Sequence, residues 1–551
     1  MRKKMIRSVL FKLAPALIVG TAGVSLAACG GSGGGESTTA ATTTAASTTA
    51  AQTTTASSSA SSSSGDKHIN VGYYWLTPNL DYSEDYTGWE VSIMGVGEAL
   101  VKLNQQLEVE PCLAESWENK DDTTWVFNIR DGVTFSNGKK VDAQACKAAI
   151  ERSLEKNPRA DGYLNVDSIT ADGQTLTIKT KEPNGALLNN ISEPLFDIFD
   201  VSEGDEVLAS RPSGTGPFIV TDFVPETSIE LVKNENYWDG EVGLDSISVT
   251  YIADESTRVM AMQSGEVDMT NYIDYQSLST FSDTSKYNVS SVTGPRVNVV
   301  YMNNAETSPL GDKNLRVALS YAPDRDAYAG MIGGTAAHGV FSDGTPYGND
   351  KLKGYSYDPE KCKQLLDEAG YKDTDGDGFR EGLDGKPMTL QFYQSSSTGD
   401  SATLAVALQS NLKDVGVNMN INTVENMADV REKGEFDMYT TALNSAPTGD
   451  PQVWLETMYT LGADGLQTSS TSNATKYQSQ AMDDVVSRLK TTFDIKERYN
   501  LAQEGSQVLL DDAADLYLTN NMLTMVSSTK LENCIQPVCD YYMITKDMKL
   551  K

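Results

Sequence analysis

Residues 373–381 read Asp-Thr-Asp-Gly-Asp-Gly-Phe-Arg-Glu, the pattern D-x-D-x-D-G-x-x-E. Carboxylates at alternate positions, with glycine at the sixth, are what a hard cation such as calcium requires of a tight loop. Asp373, Asp375 and Asp377 would supply carboxylates and Phe379 its carbonyl, with Glu381 at the ninth position and Asp384 at the twelfth. The twelfth position normally carries the longer glutamate, and no second flanking helix is readable. The alternative is an acidic turn joining a helix to the strand at 389–392. A structural calcium ion is the one cofactor the sequence suggests. Other chemistry is thinly provided. The chain has two histidines, His68 and His338. A nucleophile–histidine site would have to use His338, and no nucleophile-elbow sequence accompanies it. A histidine-rich metal site is excluded. Paired carboxylates for glycoside hydrolysis stay open among 76 acids, though nothing singles out a pair. Of six cysteines, Cys29 directly follows the leader, which leaves Cys112, Cys146, Cys362, Cys534 and Cys539 in the body. No CxxC occurs, so structural zinc is not expected. Cys534 and Cys539, close in sequence, are the favoured pair for a disulfide.

The leader carries its own chemistry. Arg2, Lys3, Lys4 and Arg7 precede an apolar run that ends in Leu26-Ala27-Ala28-Cys29. This order is a secretory signal with an apolar core too short for a confident membrane span. Its ending resembles a bacterial lipobox, which implies cleavage after residue 28 and acylation of Cys29. An ordinary signal peptide with an incidental cysteine is the alternative. Residues 30–65 are almost wholly Gly, Ser, Thr and Ala. Such a segment cannot bury a core. As a flexible chain it would span roughly 30–40 Å. An O-glycosylated stalk is the other reading. The formal charge of −32 argues against nucleic acid and against lying on anionic lipid.

The body, from about residue 66 to 551, is long enough for two or three lobes. Its elements alternate between strand and helix. Residues 124–130 place Trp125, Phe127 and Ile129 on one face, a half-buried strand. Asn137-Gly138 is a turn pair. Asp142 is an N-cap for a helix to about Leu154. Residues 175–179 form another alternating strand. Asp358-Pro359 opens a helix that Gly370 closes. Further helices are expected at 402–415, 480–491 and 496–511. The pattern is mixed α/β without internal repeats.

Several stretches, in order, resemble the large extracytoplasmic solute-binding proteins of ABC importers, in the peptide/nickel class. They are Glu98-Ala99-Leu100-Val101 with Leu113-Ala114-Glu115-Ser116-Trp117, the strand and turn from Trp125 to Gly138, and Gly214-Thr215-Gly216-Pro217-Phe218. Asn234 to Trp238, Thr257-Arg258 with Gly265-Glu266-Val267-Asp268, and Arg316 to Arg325 complete the series. Trp117, Trp125 and Phe127 read as core, Gly214 and Gly216 as backbone positions a side chain would obstruct, and Arg258 with Asp268 as a local ion pair or cap. The resemblance implies a two-lobe fold of the periplasmic-binding-protein type, of the large class with an extra subdomain. Two crossover strands would form its hinge. It divides the chain into a signal peptide (1–28), a lipidated cysteine with its linker (29–65), a first lobe (66–303, subdomain about 106–210), a second lobe (304–517) and a return segment (518–551). Crossings are expected near 301–303 and 516–520.

The same resemblance implies a lipid-anchored receptor, monomeric and without catalysis. It captures a solute in the cleft and hands it to a membrane permease. A tether of this kind suits a single-membrane bacterium. Peptide-binding relatives hold the ligand's amine with an aspartate three residues before an Asp-Pro pair, but here Asp450-Pro451 is preceded at that distance by Pro447. Residues 443–451 look more like the nickel branch, with Asn444 and Thr448 in place of its aromatic pair. An arginine that branch uses for chelator carboxylates falls on Glu193. A second corresponds to Arg159, with Tyr163 for a tryptophan. Glu193 would repel a polycarboxylate, so a peptide or cationic amide is the expected ligand and a metal chelate the alternative. Among Tyr73, Tyr74 and Trp75, alternation along a strand lets only some face one way, and Trp75 is the candidate for the ligand side. The rival of another class is a lipid-anchored hydrolase using carboxylates. A third is a sensor or adhesin on the same fold.

Overall fold

The computed structural model describes residues 67–348, 351–395, 399–441, 444–460 and 473–551. The leader, Cys29 and the linker lie outside the described residues. The expected strands and helices form because their apolar spacing is satisfied on one face. In the strand Thr124–Ile129 the side chains of Trp125, Phe127 and Ile129 are buried. Asp142 caps the helix Ala143–Lys156 by accepting from the Ala145 backbone N–H. Asp358 caps Pro359–Ala369, and Gly370 ends it with φ +94°, a left-handed conformation that costs glycine little. Helices at Gly399–Asp414, Gln480–Thr491 and Ile495–Asp511 stand where the periodicity puts them.

An eleven-stranded sheet runs through both lobes. Two long antiparallel strands at its middle, Tyr287–Met302 and Asp515–Ser528, hold it together. Beyond the N-terminal part of the first, the return strand pairs with Met269–Asn271, then His68–Tyr73, Ser246–Tyr251, Ser228–Lys233 and Phe218–Val224 follow. Beside its C-terminal part lie Met438–Thr441, Thr389–Ser395 and Asn418–Val424. The change of neighbours coincides with a register break between Thr293 and Val297, opposite Asn520–Met522. Gly294-Pro295 sits in that break, and proline removes a ladder donor. The expected crossing points at 301–303 and 516–520 belong to the same pair of segments, a few residues from this break.

The hydrophobic cores divide accordingly. One cluster joins residues from Ile69 to Met269 with Met525, Leu531, Met543, Ile544 and Met548, and takes in Val453 from the second lobe. Two others are drawn from 297–518. A separate four-stranded antiparallel sheet, Ala114–Asp121, Thr124–Ile129, Thr175–Thr180 and Val166–Asp172, packs within the first lobe. Among the described residues no helix is long and apolar enough to cross a membrane.

The sequence pieces that recur in order converge on one buried acid. Glu98 accepts hydrogen bonds from Thr215 Oγ1 (2.8 Å), Tyr237 OH (2.7 Å) and Trp238 Nε1 (2.8 Å). Burial pushes its carboxyl up, and those donors pull the other way. A Cβ on Gly214 or Gly216 would collide with the carbonyl oxygens of Val96 and Gly95. Arg258 and Asp268 do not pair. Arg258 donates to the carbonyls of Ile252, Ala253 and Tyr272, while Asp268 accepts from the Asn70 N–H at 2.9 Å. The disulfide expected from spacing is not formed: Cys534 and Cys539 are both free thiols. Cys539 is buried with Leu103, Leu107 and Tyr541, whereas Cys534 packs against the main first-lobe core.

Candidate functional site

A cavity of about 190 Å³ opens beside the register break. The first lobe supplies one wall. Asn157 caps the helix Pro158–Leu164, with proline at its first position, and accepts from the Arg159 N–H at 3.1 Å. Arg159 and Tyr163, four apart, therefore share a face. Tyr86 and Trp89 come from the start of the helix Thr87–Ile93. The second lobe supplies Asn444, Pro447, Val453, Trp454 and Thr457. Arg296, from the break in the crossover strand, lines the cavity between them.

The Arg159 guanidinium is held from three sides. It lies 3.9 Å from the centre of the Tyr86 ring, a cation–π contact. It donates to the Asp85 carbonyl at 2.8 Å and to Glu193 Oε1 at 2.7 Å. Burial works against its charge, but Tyr163, Glu193 and Tyr86 outweigh it and hold the guanidinium above its ordinary value. Arg296 pairs with Asp540. Burial opposes its charge too, and Asp540, Tyr272 and Tyr74 outweigh it. Two fixed cations thus face an aromatic cavity, each with a carboxylate behind it.

The loop 444–451 is stitched to the hinge. Asn444 bridges the Arg296 backbone, and Ser445 Oγ donates to the Pro295 carbonyl at 3.1 Å. Asp450 accepts from Arg498 Nε and Nη2, both at 2.7 Å, and both residues are buried. The Asp-Pro pair is therefore an anchor for this loop and for the helix Gln452–Tyr459 that follows it.

Of the residues singled out from sequence, Arg159, Tyr163 and Asn444 line the cavity. Glu193 does not. It is 0 % exposed and its carboxylate accepts from Arg159, from Trp89 Nε1 (2.7 Å) and from Tyr541 OH (2.7 Å). The reading of Glu193 as a free anion facing solute is corrected accordingly: its charge is matched by Arg159 behind the wall. Thr448, also fully buried, contacts Asn190 Oδ1 at 3.1 Å, and its carbonyl accepts from Asn189. Trp75, just past the end of the first strand, lines a smaller neighbouring cavity rather than this one. Sequence reasoning missed Trp89, Trp454 and Arg296. Arg296 carried a signal, since Gly-Pro interrupts an otherwise continuous strand pattern directly before it.

In the acidic loop, carboxylate oxygens of Asp373, Asp375 and Asp377 lie within 4.8 Å of one another and are exposed. Asp373 accepts from the Gly376 and Gly378 N–H groups. Glu381 is turned to Thr374, accepting from its N–H and hydroxyl, and Asp384 pairs with Lys386 at 2.8 Å. The Glu381 N–H donates to the Lys372 carbonyl, closing the loop on itself.

Residues 108–465 match the sequence model of the bacterial extracellular solute-binding proteins, family 5, middle section. The chain belongs to that family. Members capture a small solute between two lobes for an ABC importer. The chain is 26 % identical over 471 residues to the nickel-binding protein NikA of Staphylococcus aureus, covering 85 % of this chain and 91 % of that protein. It is 25 % identical over 448 residues to a probable D,D-dipeptide-binding periplasmic protein of Escherichia coli, covering 77 % and 82 %. The solved nickel ABC transporter protein of Bacillus halodurans superposes with a TM-score of 0.74 at 28 % identity, covering 88 % of this chain and all of that one. The two-lobed α/β reading of the sequence is borne out.

Proposed function

We propose that this receptor captures a small peptide-like solute whose anionic group meets Arg159 and Arg296. A flat or apolar portion lies against Tyr86, Trp89 and Trp454. The observation that carries this is the pair of guanidiniums, Arg159 buried and Arg296 part-buried, that face an aromatic cavity. Guanidinium forks match carboxylates, and aromatic walls bury apolar area at low entropic cost. The cationic ligand inferred from Glu193 loses its support, because that carboxylate is already matched. Peptide recognition keeps a relative in the dipeptide-binding protein.

A metal complex of a carboxylate chelator is the second reading, and the same two arginines with the nickel-binding relative favour it. Neither His68 nor His338 lines the cavity, so such a metal would arrive with its own ligands. The receptor performs no chemistry in this reading. Acylation at Cys29 would hold it by a flexible linker on the outer face of the membrane, near its permease, as a monomer.

Mass spectrometry of solute released from natively purified protein tests the proposal. A peptide or amino-acid derivative that rebinds on calorimetry, at least tenfold more weakly to Arg159→Gln, supports it. A nickel or other metal complex in its place favours the second reading. Consumption of the solute would overturn the receptor reading. Metabolic labelling with palmitate, lost in Cys29→Ala, tests the tether.

A further inference from the structure

Beyond Trp89 and Arg296, which line both, the main cavity has a small neighbour of about 30 Å³. That is room for one water molecule or one ammonium group. Its walls are unusual in composition. Tyr73, Tyr74, Trp75 and Tyr272 contribute rings, with Tyr74 and Tyr272 at 4.2 Å between centres. The polar residues on its lining besides Arg296 are Asn271, Gln536 and Asp540, all at least nine-tenths buried. Asn271 Oδ1 and Gln536 Oε1 are buried and have no hydrogen-bond partner within the protein. Asp540 accepts from Tyr272 OH (3.2 Å) and from Arg296 Nη2, and a carboxylate has further lone pairs. Buried acceptors without donors cost stability. They stay where something supplies the donors.

We propose that this small cavity is a subsite for a primary ammonium group of the captured solute. The inference rests on the peptide-like reading above and deepens it: the solute would be a zwitterion, with its anionic end at Arg159 and its amine beyond Trp89. An ammonium brings three donors for the three acceptors Asn271, Gln536 and Asp540. A hydroxyl brings one, and an anion none. Aromatic rings on the lining, from Tyr73, Tyr74 and Trp75, suit a cation where it meets a ring face. Arg296 and Asp540 form a pair that is neutral as a whole, so the preference for a cation rests on the rings and on the two unpartnered amide oxygens. The subsite also accounts for the missing acid at Pro447. The amine would be received by the first strand and the C-terminal segment instead of the loop before Asp450.

The test uses purified protein stripped of bound solute. It is offered a pool of unblocked dipeptides and, separately, the same pool N-acetylated. Retained peptide is quantified by mass spectrometry after gel filtration. Unblocked peptides are expected to be retained at least tenfold more than acetylated ones. Asn271→Leu and Gln536→Met, which keep shape and remove one acceptor each, should each lower that preference about tenfold. Retention of the unblocked pool should fall more than that of the acetylated pool, whereas a merely structural loss would lower both alike. Equal retention of both pools by the parent protein overturns the subsite and leaves the receptor for peptide-like solutes standing. So does a bound structure with a water in the small cavity and the amine elsewhere. Retention of neither pool overturns the peptide-like reading and the subsite with it.

Discussion

Asp515 opens the returning crossover strand and is 4 % exposed. Its oxygens accept from the Met302 N–H and from Tyr459 OH, each at 2.9 Å. Burial pushes the carboxyl up to about 7 against an ordinary value of 3.8, with those hydrogen bonds and Arg316 pulling the other way. Between about pH 4 and pH 7 the folded chain therefore holds a proton here that the unfolded chain has released. The contribution of this group to stability must fall as pH rises through that window, and is fully retained only below it. About three pH units at about 1.4 kcal/mol each give a loss of about 4 kcal/mol. In Asp515→Asn there is no proton to lose, and the amide can still accept from Met302 and donate to Tyr459. Urea unfolding followed by circular dichroism from pH 4 to pH 8 should give parent and variant similar stability at pH 4. By pH 7 the variant should lead by about 4 kcal/mol. Burial also pushes Glu90 up to about 7, but Glu90 is present in both proteins and cancels in the difference. A gap that does not change with pH would refute the reasoning.

Glu193→Gln should lower stability by about 2–3 kcal/mol, because Arg159 loses its buried counter-charge, while binding of an anionic solute is not weakened; calorimetry reads both. Asp450→Asn should cost about 3–5 kcal/mol in urea unfolding, since Arg498 is 1 % exposed and would be left without its carboxylate. Calcium should raise the melting temperature of the parent but not of Asp375→Asn, and no rise in the parent would leave 373–384 as a turn only. Gly216→Ala should be destabilising by about 1–3 kcal/mol, from the clash with the Gly95 carbonyl, with solute binding retained in what folds.

The elements were legible because short-range rules govern them. Asp142, Asp358 and Gly370 cap the helices they flank, and the alternation of Trp125, Phe127 and Ile129 marks a buried face. The lobes followed from the order of family pieces. The site was legible only in part, because it is built from contacts 30 to 350 positions apart. Glu193 looked like a free acid because nothing in the sequence reveals that Arg159, Trp89 and Tyr541 converge on it. Cys534 and Cys539 looked like a pair because proximity in sequence does not report which core each thiol enters. Asp450-Pro451 looked like a marker of ligand chemistry, whereas its carboxylate serves Arg498.

The placement of Arg296 has a consequence for how capture works. Its backbone lies in the break between the two halves of the crossover strand, and bridges Asn444 of the second lobe. Its side chain pairs with Asp540 of the C-terminal segment that packs on the first lobe. A solute touching the guanidinium therefore touches the hinge and both walls at once. Solute can shift the balance between open and closed forms only by the difference in its affinity for them. A contact whose partners come from both lobes exists in full only when they are together. Moving a closed fraction from one in a hundred to ninety-nine requires about 5.5 kcal/mol of such difference. Arg159 and its partners all belong to the first lobe, so of the two guanidiniums only Arg296 contributes to that difference, by about 1.5–3 kcal/mol, and second-lobe walls such as Trp454 closing on a solute held at Arg159 must supply the rest. Aromatic contacts from one lobe alone would bind without closing.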